Sequence, residues 1–118
     1  MKIGYARTST DQQSAGYEDQ ITQLKAVGCE KLFAEQISSV AKRPQLEAAL
    51  EWVREGDVLI VTRLDRLARS TIDLLAIIDR LETKGVGLRI LACGGSEVDT
   101  KSATGKMLVT LFGAVAEF

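Results

Sequence analysis

The 118-residue sequence contains no histidine, and this absence restricts the chemistry open to it. A serine nucleophile here cannot be activated by a Ser-His-Asp arrangement, because that arrangement uses an imidazole as its base. The two cysteines, Cys29 and Cys93, show no metal-binding or redox spacing, which predicts reduced thiols in a cytosolic protein. No signal peptide, membrane-spanning run or internal repeat is visible. Any catalysis must therefore use serine, arginine, carboxylate and amide side chains.

An excess of charge of either sign is also missing. The 15 basic and 16 acidic residues nearly cancel, and the isoelectric point is near 5.5. Dedicated nucleic-acid-binding modules are usually basic over their whole surface, so this balance argues against such a module but leaves room for a local basic site. A hydrophobic content of 46% is enough for one domain with a substantial core.

Short apolar runs alternate with helical patterns along the chain. The patterns predict strands at residues 2–7, 31–35, 58–61 and 86–92, helices at residues 17–27, 44–54 and 70–85, and a glycine-bearing loop at residues 93–100. This alternation predicts an α/β fold, with a mainly parallel sheet of four to five strands and helices on both faces.

The last segment, residues 103–118, is apolar in nearly every direction of a helix. A helix that is apolar all round must be buried all round, and a domain of this size can cover only one side of it. We therefore expect residues 1–102 to form the α/β core and residues 103–118 to begin a long C-terminal helix, truncated here, that meets a second subunit. The alternative is an ordinary core helix of a monomer.

The first strand runs into the sequence YARTST at residues 5–10, which holds a serine two residues after an arginine. Ligands of open α/β sheets bind at the carboxyl ends of strands, so Ser9 is a candidate nucleophile beside the fixed charge of Arg7. The alternative is that Ser9 belongs to a polar turn that caps the next helix, with Tyr5 as a half-buried strand residue.

Arginines also follow the third predicted strand. Arg63, Arg66 and Arg69 are three residues apart, so in a turn of helix they would share a face suited to phosphate oxygens. The alternative is a solvated face partly neutralised by Asp65. Arg43 precedes a predicted helix, whose amino end favours anions. If the sheet is parallel, these arginines meet Arg7 and Ser9 at one edge, around a single phosphate.

Together these segments resemble the catalytic domain of the small serine recombinases, the resolvase and DNA-invertase family. The resemblance covers essentially the whole chain. It is carried by YARTST with Gln12 and Gln13, by Gly56-Asp57, by LDRLARS at residues 64–70 and by GKM at residues 105–107. The first and third motifs, in this order and at this spacing, are together a strong signal.

The resemblance implies that Ser9 attacks a DNA phosphodiester and forms a 5′-phosphoserine intermediate, followed by strand exchange and religation without a metal or cofactor. The implied catalytic residues are Ser9, Arg7, Arg43, Arg66, Arg69 and Asp65, where Asp65 helps to position the arginines. The implied DNA-phosphate contacts are Tyr5, Arg63, Gln13 and Lys42.

The implied partners are DNA and a second copy of the chain, with a homodimer built on the final helix and a tetramer in the active synaptic complex. The implied location is the bacterial cytoplasm, at the nucleoid when DNA is bound, with no membrane contact. The helix-turn-helix DNA-binding domain that normally follows in the family is absent from this sequence.

The sequence departs from the family pattern at Ala68, which replaces a frequent glycine, at Glu35, where an aspartate is usual, and in residues 38–42, which lack the usual glycine. Two other functions stay open at this point. One is a non-catalytic dimerising α/β module that binds a phosphorylated ligand through its arginine cluster. The other is a catalytically idle regulatory relative of the recombinases that keeps only the subunit interface.

Overall fold

The computed structural model describes residues 1–8, 14–37, 42–93 and 96–115 of the chain. In chain order its elements are β1 (Lys2–Thr8), α1 (Ser14–Ala26), β2 (Lys31–Gln36), α2 (Pro44–Trp52), β3 (Val58–Val61), a single 3₁₀ turn (Leu64–Arg66), α3 (Thr71–Thr83), β4 (Gly87–Cys93), β5 (Ser96–Asp99) and α4 (Ala103–Val115). Each predicted helix and strand is present, with ends shifted by at most three residues.

The five strands form one sheet in the order β2-β1-β3-β4-β5. The pairs β1–β2, β1–β3 and β3–β4 are parallel, and only β5 runs antiparallel to its neighbour. The prediction of a mainly parallel α/β sheet is therefore confirmed. The carboxyl ends of β1 and β3 lie at the same edge, as the sequence argument requires.

Strand β5 lies where the sequence predicted a loop, so that prediction is wrong for residues 96–99. Asp99 pairs with Arg89 and Val98 pairs with Ile90 of β4. Only Val98 in this strand is a buried apolar residue, which is too little for an alternating pattern to show. The available signal was the Gly-Gly pair between two extended segments, a typical sequence of a two-residue hairpin turn.

Core packing explains why residues 3–6 of β1 and all of β3 carry no polar side chains other than the Tyr5 hydroxyl. Ile3 and Tyr5 face the cluster formed with α2, α3 and α4, while Ala6 faces the smaller cluster with Leu24 of α1. All four residues of β3 are buried. A parallel strand covered by helices on both faces needs apolar side chains at successive positions, as these strands have. Helices packed on both faces of the sheet thus hold in place the strand ends that carry the arginines.

Two helix boundaries were predicted from capping residues. Ser70 accepts a hydrogen bond from the Asp73 backbone N–H (3.1 Å), which confirms the predicted start of α3. Gly28 follows α1 with a φ of +91°, a left-handed conformation that favours glycine after a helix. Helix α2 ends at Trp52, earlier than predicted, because the Asp57 carboxylate accepts from the Arg54 N–H (2.9 Å) and closes a turn there.

Helix α4 is covered on one side only by the described part of the chain. Its buried residues are Gly105, Val109 and Gly113, and the lack of a side chain at Gly113 lets the helix approach Leu74 of α3 closely. The opposite side of α4 exposes large apolar residues, and α3 exposes two more. These residues, called here the α3–α4 apolar surface, are Ile72, Leu75, Met107, Leu111 and Val115. The helix is therefore not an ordinary core helix within this chain.

Candidate active site

Arg7 lies buried at the carboxyl end of β1, with 8% of its surface exposed. Its Nη2 donates to the Asp65 carbonyl oxygen at 2.6 Å. Its backbone is fixed by Gln20 of α1, whose side-chain amide accepts from the Arg7 N–H (3.3 Å) and donates to the Arg7 carbonyl (3.1 Å). Arg7 Nε and Thr8 Oγ1 are buried and have no hydrogen-bond partner among the described residues. The strand end therefore presents a fixed cation with an unused donor.

Other arginines surround this cation. Burial lowers the pKa of Arg7, and the positive charges of Arg43, Arg66 and Arg69 lower it further, whereas Tyr5 acts in the opposite direction. An arginine keeps its charge at neutral pH despite such a shift. Arg43, Arg66 and Arg69 are thus all near enough to Arg7 to act on its charge, and their meeting around a single phosphate stays a prediction. A bound anion would replace that repulsion with attraction.

Tyr5 is completely buried and forms a hydrogen bond with Glu35 of β2. Its hydroxyl donates to Glu35 Oε2 at 2.6 Å. The same carboxylate accepts from the backbone N–H groups of Gln45 and Leu46, each at 3.1 Å, in the first turn of α2. Burial, the hydrogen bond to Glu35 and the Glu35 charge all raise the pKa of Tyr5. Tyr5 therefore acts here as a neutral donor that ties the sheet to α2, and its contact with a DNA phosphate stays a prediction.

Arg43 stands directly before α2 and reaches across to the segment that leads into α3. Its Nη1 donates to the Leu67 carbonyl (2.8 Å) and its Nη2 donates to Asp73 Oδ1 (2.8 Å). The second oxygen of Asp73 accepts from the Arg69 backbone N–H (2.9 Å). Burial raises the pKa of Asp73, but the hydrogen bonds and charges of the two arginines outweigh burial and leave the pKa below its ordinary value.

The segment after β3 does not form the longer helical turn on which Arg63, Arg66 and Arg69 would share a face. A single 3₁₀ turn covers only Leu64–Arg66, and Arg63 before it has an extended backbone. The turn ends because Leu67, which follows it, is completely buried and draws the chain into the core. Arg63, Arg66 and Arg69 therefore do not share one helix face, and their contact with a phosphate stays a prediction.

Two clefts divide these arginines. Arg63 and Arg66 line a cleft of about 250 Å³ between α1 and the ends of β3 and β4. Arg69 lines a second cleft, of about 430 Å³, between α2 and α3, with Lys42 and Arg43 at its rim. Arg7 is near arginines of both clefts, because Arg66 of the first cleft and Arg43 and Arg69 of the second all lower its pKa.

Asp65 acts on the arginines in two ways. Its carboxylate accepts from Arg63 Nε (3.1 Å) and Nη2 (3.0 Å), while its backbone carbonyl holds Arg7. The Arg63–Asp65 pair is half exposed, so it adds little to stability. Ser9 and Gln13 lie outside the described residues, and so do residues 38–41 of the loop before Lys42.

Three contacts that hold candidate site residues were not predicted from the sequence, and they are made by Gln20, Glu35 and Asp73. Each contact joins residues at least ten positions apart, such as Asp73 with Arg43 or Glu35 with Tyr5. Asp73 was recognisable only as the third residue of a helix start, and Glu35 only as a departure from the family pattern. Nothing local in the sequence shows which distant group each side chain reaches.

The geometry defines a class of protein: an α/β domain with an arginine cluster, suited to a phosphate ester, at the carboxyl edge of a mainly parallel sheet. A family model described as "Resolvase, N terminal domain" matches residues 2–118, and the chain belongs to this family. It is 43% identical over its whole length to the transposon Tn552 DNA-invertase BinR of Staphylococcus aureus, of which it covers 60%. It is 38% identical to the DNA-invertase hin of Salmonella typhimurium, covering 98% of this chain and 58% of the relative.

Among solved structures, the N-terminal catalytic domain of TP901-1 integrase superimposes with a TM-score of 0.71 at 26% identity. That match covers 95% of this chain and 91% of the other. The chain thus spans about 60% of the length of the curated relatives and nearly all of an isolated catalytic domain. Across the described ranges, none of the helices has the length and apolar content that a membrane crossing needs.

Proposed function

We propose that this chain is the catalytic domain of a site-specific DNA recombinase that uses Ser9 as its nucleophile. The observation that carries the proposal is the buried Arg7, whose Nε has no hydrogen-bond partner in the described part of the chain and whose pKa is lowered by three further arginines. Ser9 comes two residues later in the chain, directly after the end of β1. A catalytic group at this place would lie where the sheet already concentrates positive charge.

The proposed cleavage step breaks one ester bond and forms another. Ser9 Oγ bonds to phosphorus as its proton leaves, the bond from phosphorus to the 3′ oxygen breaks, and that oxygen takes up a proton. The product is a 5′-phosphoserine ester and a free 3′-hydroxyl. Religation is the reverse, with a 3′-hydroxyl of the exchanged strand as nucleophile and Ser9 as leaving group. The covalent intermediate has as many phosphate ester bonds as the intact DNA strand, so the cycle needs no external energy source.

The arginines supply the electrostatic part of this reaction. Negative charge gathers on the equatorial phosphate oxygens in the transition state, and fixed guanidinium donors stabilise that charge. Nearby cations also favour the serine alkoxide, which supplies part of what a histidine base would do elsewhere. We assign this role to Arg7, Arg43, Arg66 and Arg69.

The proposed assembly uses the α3–α4 apolar surface as a subunit interface, giving a homodimer and, in the active complex on DNA, a tetramer. Met107, Leu111 and Val115 support it, with 64%, 56% and 70% of their surfaces exposed along one side of α4. Large apolar residues exposed along one side of a helix are typical of interaction sites. With DNA as substrate, we place the protein in the bacterial cytoplasm.

The test is a covalent-adduct assay on the polypeptide that the gene encodes. The protein is incubated, with EDTA present, with a supercoiled plasmid carrying the DNA that flanks the gene, and is then denatured with detergent. We expect a protein–DNA adduct that yields a phosphoserine peptide containing Ser9. Ser9→Ala should abolish the adduct, and Ser14→Ala, a nearby serine, should retain it.

Two results would count against the proposal. An adduct that persists in Ser9→Ala would assign the nucleophile to another residue. A wild-type protein that binds this DNA without ever forming an adduct would favour the non-catalytic, phosphate-binding module instead.

A further inference from the structure

One carboxylate joins the two loops that carry Arg43 and Arg69. Asp73 Oδ1 accepts from the Arg43 side chain at 2.8 Å, and Oδ2 accepts from the Arg69 backbone N–H at 2.9 Å. Asp73 lies in the first turn of α3, where its backbone N–H donates to Ser70 Oγ at 3.1 Å. The two oxygens thus set the distance between the start of α2 and the start of α3.

Arg43 is held at a second point, which makes its placement specific. Its Nη1 donates to the Leu67 carbonyl at 2.8 Å, and only 10% of its side chain is exposed. The two terminal nitrogens of one guanidinium therefore contact two different parts of the segment before and within α3. A planar guanidinium fixed at both ends has little freedom to turn.

The cleft between α2 and α3 places Arg43 beside other cations. Lys42, Arg69 and Arg80 line it, and Arg80 is paired with Glu47 at 2.7 and 2.8 Å. Asp73 is the carboxylate on the Arg43 and Arg69 side of this cleft. Without its negative charge, the two arginines would repel each other across the loops that Asp73 now joins.

We propose that Asp73 is a positioning residue that holds Arg43 and Arg69 in one arrangement, so that both guanidiniums serve the same phosphate. The proposal rests on the proposed recombinase function. Asp73 need not touch DNA in this role, because it acts through the two arginines. Its removal should therefore slow the reaction while leaving DNA binding nearly unchanged.

The first test measures the placement of Arg43 without DNA. The chain is treated with phenylglyoxal, which modifies accessible guanidiniums, and each arginine is followed by peptide mass spectrometry. Asp73→Asn keeps the side-chain shape but loses the charge and one acceptor, so Arg43 modification should accelerate by about tenfold. Arg63 and Arg80, held by other carboxylates, are internal controls whose rates should not change.

Ser70→Ala is the matched control variant. It removes the helix cap of α3 but keeps the Asp73 carboxylate, so Arg43 should react as in the wild type. Equal acceleration in Ser70→Ala would mean that fraying of α3, and not the carboxylate, controls Arg43, and would overturn the proposal. If Asp73→Asn does not fold by circular dichroism, Asp73→Glu takes its place, because a longer arm cannot serve both donors at their present distances.

The second test uses the adduct assay over a range of DNA concentrations. Asp73→Asn should lower the rate at saturating DNA on the order of 100-fold, as expected for lost orientation, with the half-saturating concentration within about twofold of wild type. A wild-type rate in this variant would overturn the proposal. A wild type that forms no adduct would overturn the proposed function instead, and the Arg43 modification rates would still decide whether Asp73 places Arg43.

Discussion

Replacing Tyr5 with phenylalanine tests the hydrogen-bond network beneath the arginine cluster. The substitution removes the hydroxyl that donates to Glu35 Oε2 at 2.6 Å and leaves the buried ring in place. Glu35 keeps its two backbone donors from Gln45 and Leu46. A hydrogen bond to a charged group contributes roughly 1.5–3 kcal/mol, so the free energy of unfolding should fall by about that amount.

Urea unfolding, followed by fluorescence of the single tryptophan, Trp52, measures this loss. Tyr17→Phe is the matched control, because Tyr17 is the other tyrosine and is only partly buried in α1. That control should change the unfolding free energy by less than about 0.5 kcal/mol. Equal losses in the two variants would show that the Tyr5–Glu35 contact adds nothing particular to stability.

The pH dependence gives an independent check on Tyr5. Burial and Glu35 raise its folded-state pKa above the ordinary 10.0, so the folded protein keeps this proton where the unfolded chain loses it. The stabilisation is therefore complete below pH 10 and declines as pH rises above that value. Tyr5→Phe should remove part of the alkaline decline. An unchanged decline would mean that Tyr5 ionises as freely in the folded state as in the unfolded chain.

Three further predictions concern other parts of the structure. Gly105→Ala should destabilise the protein by about 1–3 kcal/mol in urea unfolding, because the new methyl group would overlap the Asp99 carbonyl. Gly16→Ala is the control: open space surrounds Gly16, so this change should stabilise α1 by roughly 0.5–1 kcal/mol. Equal effects of the two substitutions would refute the close approach of α4 to Asp99. Leu111→Arg should lower the weight-average sedimentation coefficient at high concentration, and persistence of the wild-type value would place self-association elsewhere. The Asp73 pKa lies below its ordinary 3.8, so the stabilising contribution of Asp73 is lost as pH falls below that value. In Asp73→Asn the melting temperature should therefore fall less steeply with decreasing pH than in the wild type. An identical fall would show that Asp73 does not contribute to the acid response.

The sequence predicted the fold well where one local signal determined the outcome. The run at β3 is apolar at every position because helices cover both faces of the sheet, and its bounds were predicted without error. Ser70 marked the start of α3 for a similar reason, since a helix cap is a contact within one turn. Strand β5 was missed because it depends on pairing with β4 and has a single buried apolar side chain, Val98.

The arginine cluster was predicted in part. Parallel topology brings Arg7 to the same edge as the arginines after β3, and topology followed from the alternation of elements. Arg63, Arg66 and Arg69 do not share a face in the structure, because a spacing of three residues aligns side chains only along a continuous helix. The 3₁₀ turn here covers only Leu64–Arg66. The contact of Asp73 with Arg43 spans 30 residues and depends on how α2 and α3 pack.

The first turn of α3 has two neighbours of different kinds. Thr71 donates its hydroxyl proton to the Gly113 carbonyl of α4 at 2.6 Å, and Asp73, two residues later, binds Arg43. Helix α4, which carries exposed apolar side chains, and Arg43 are thus both bound by side chains of the same turn of α3. A displacement of α4 by a neighbouring subunit would therefore reach Arg43, one of the proposed phosphate-binding groups, through a single turn of α3. The proposed assembly surface and the proposed chemical site are separate surfaces of this domain, and the first turn of α3 contacts both.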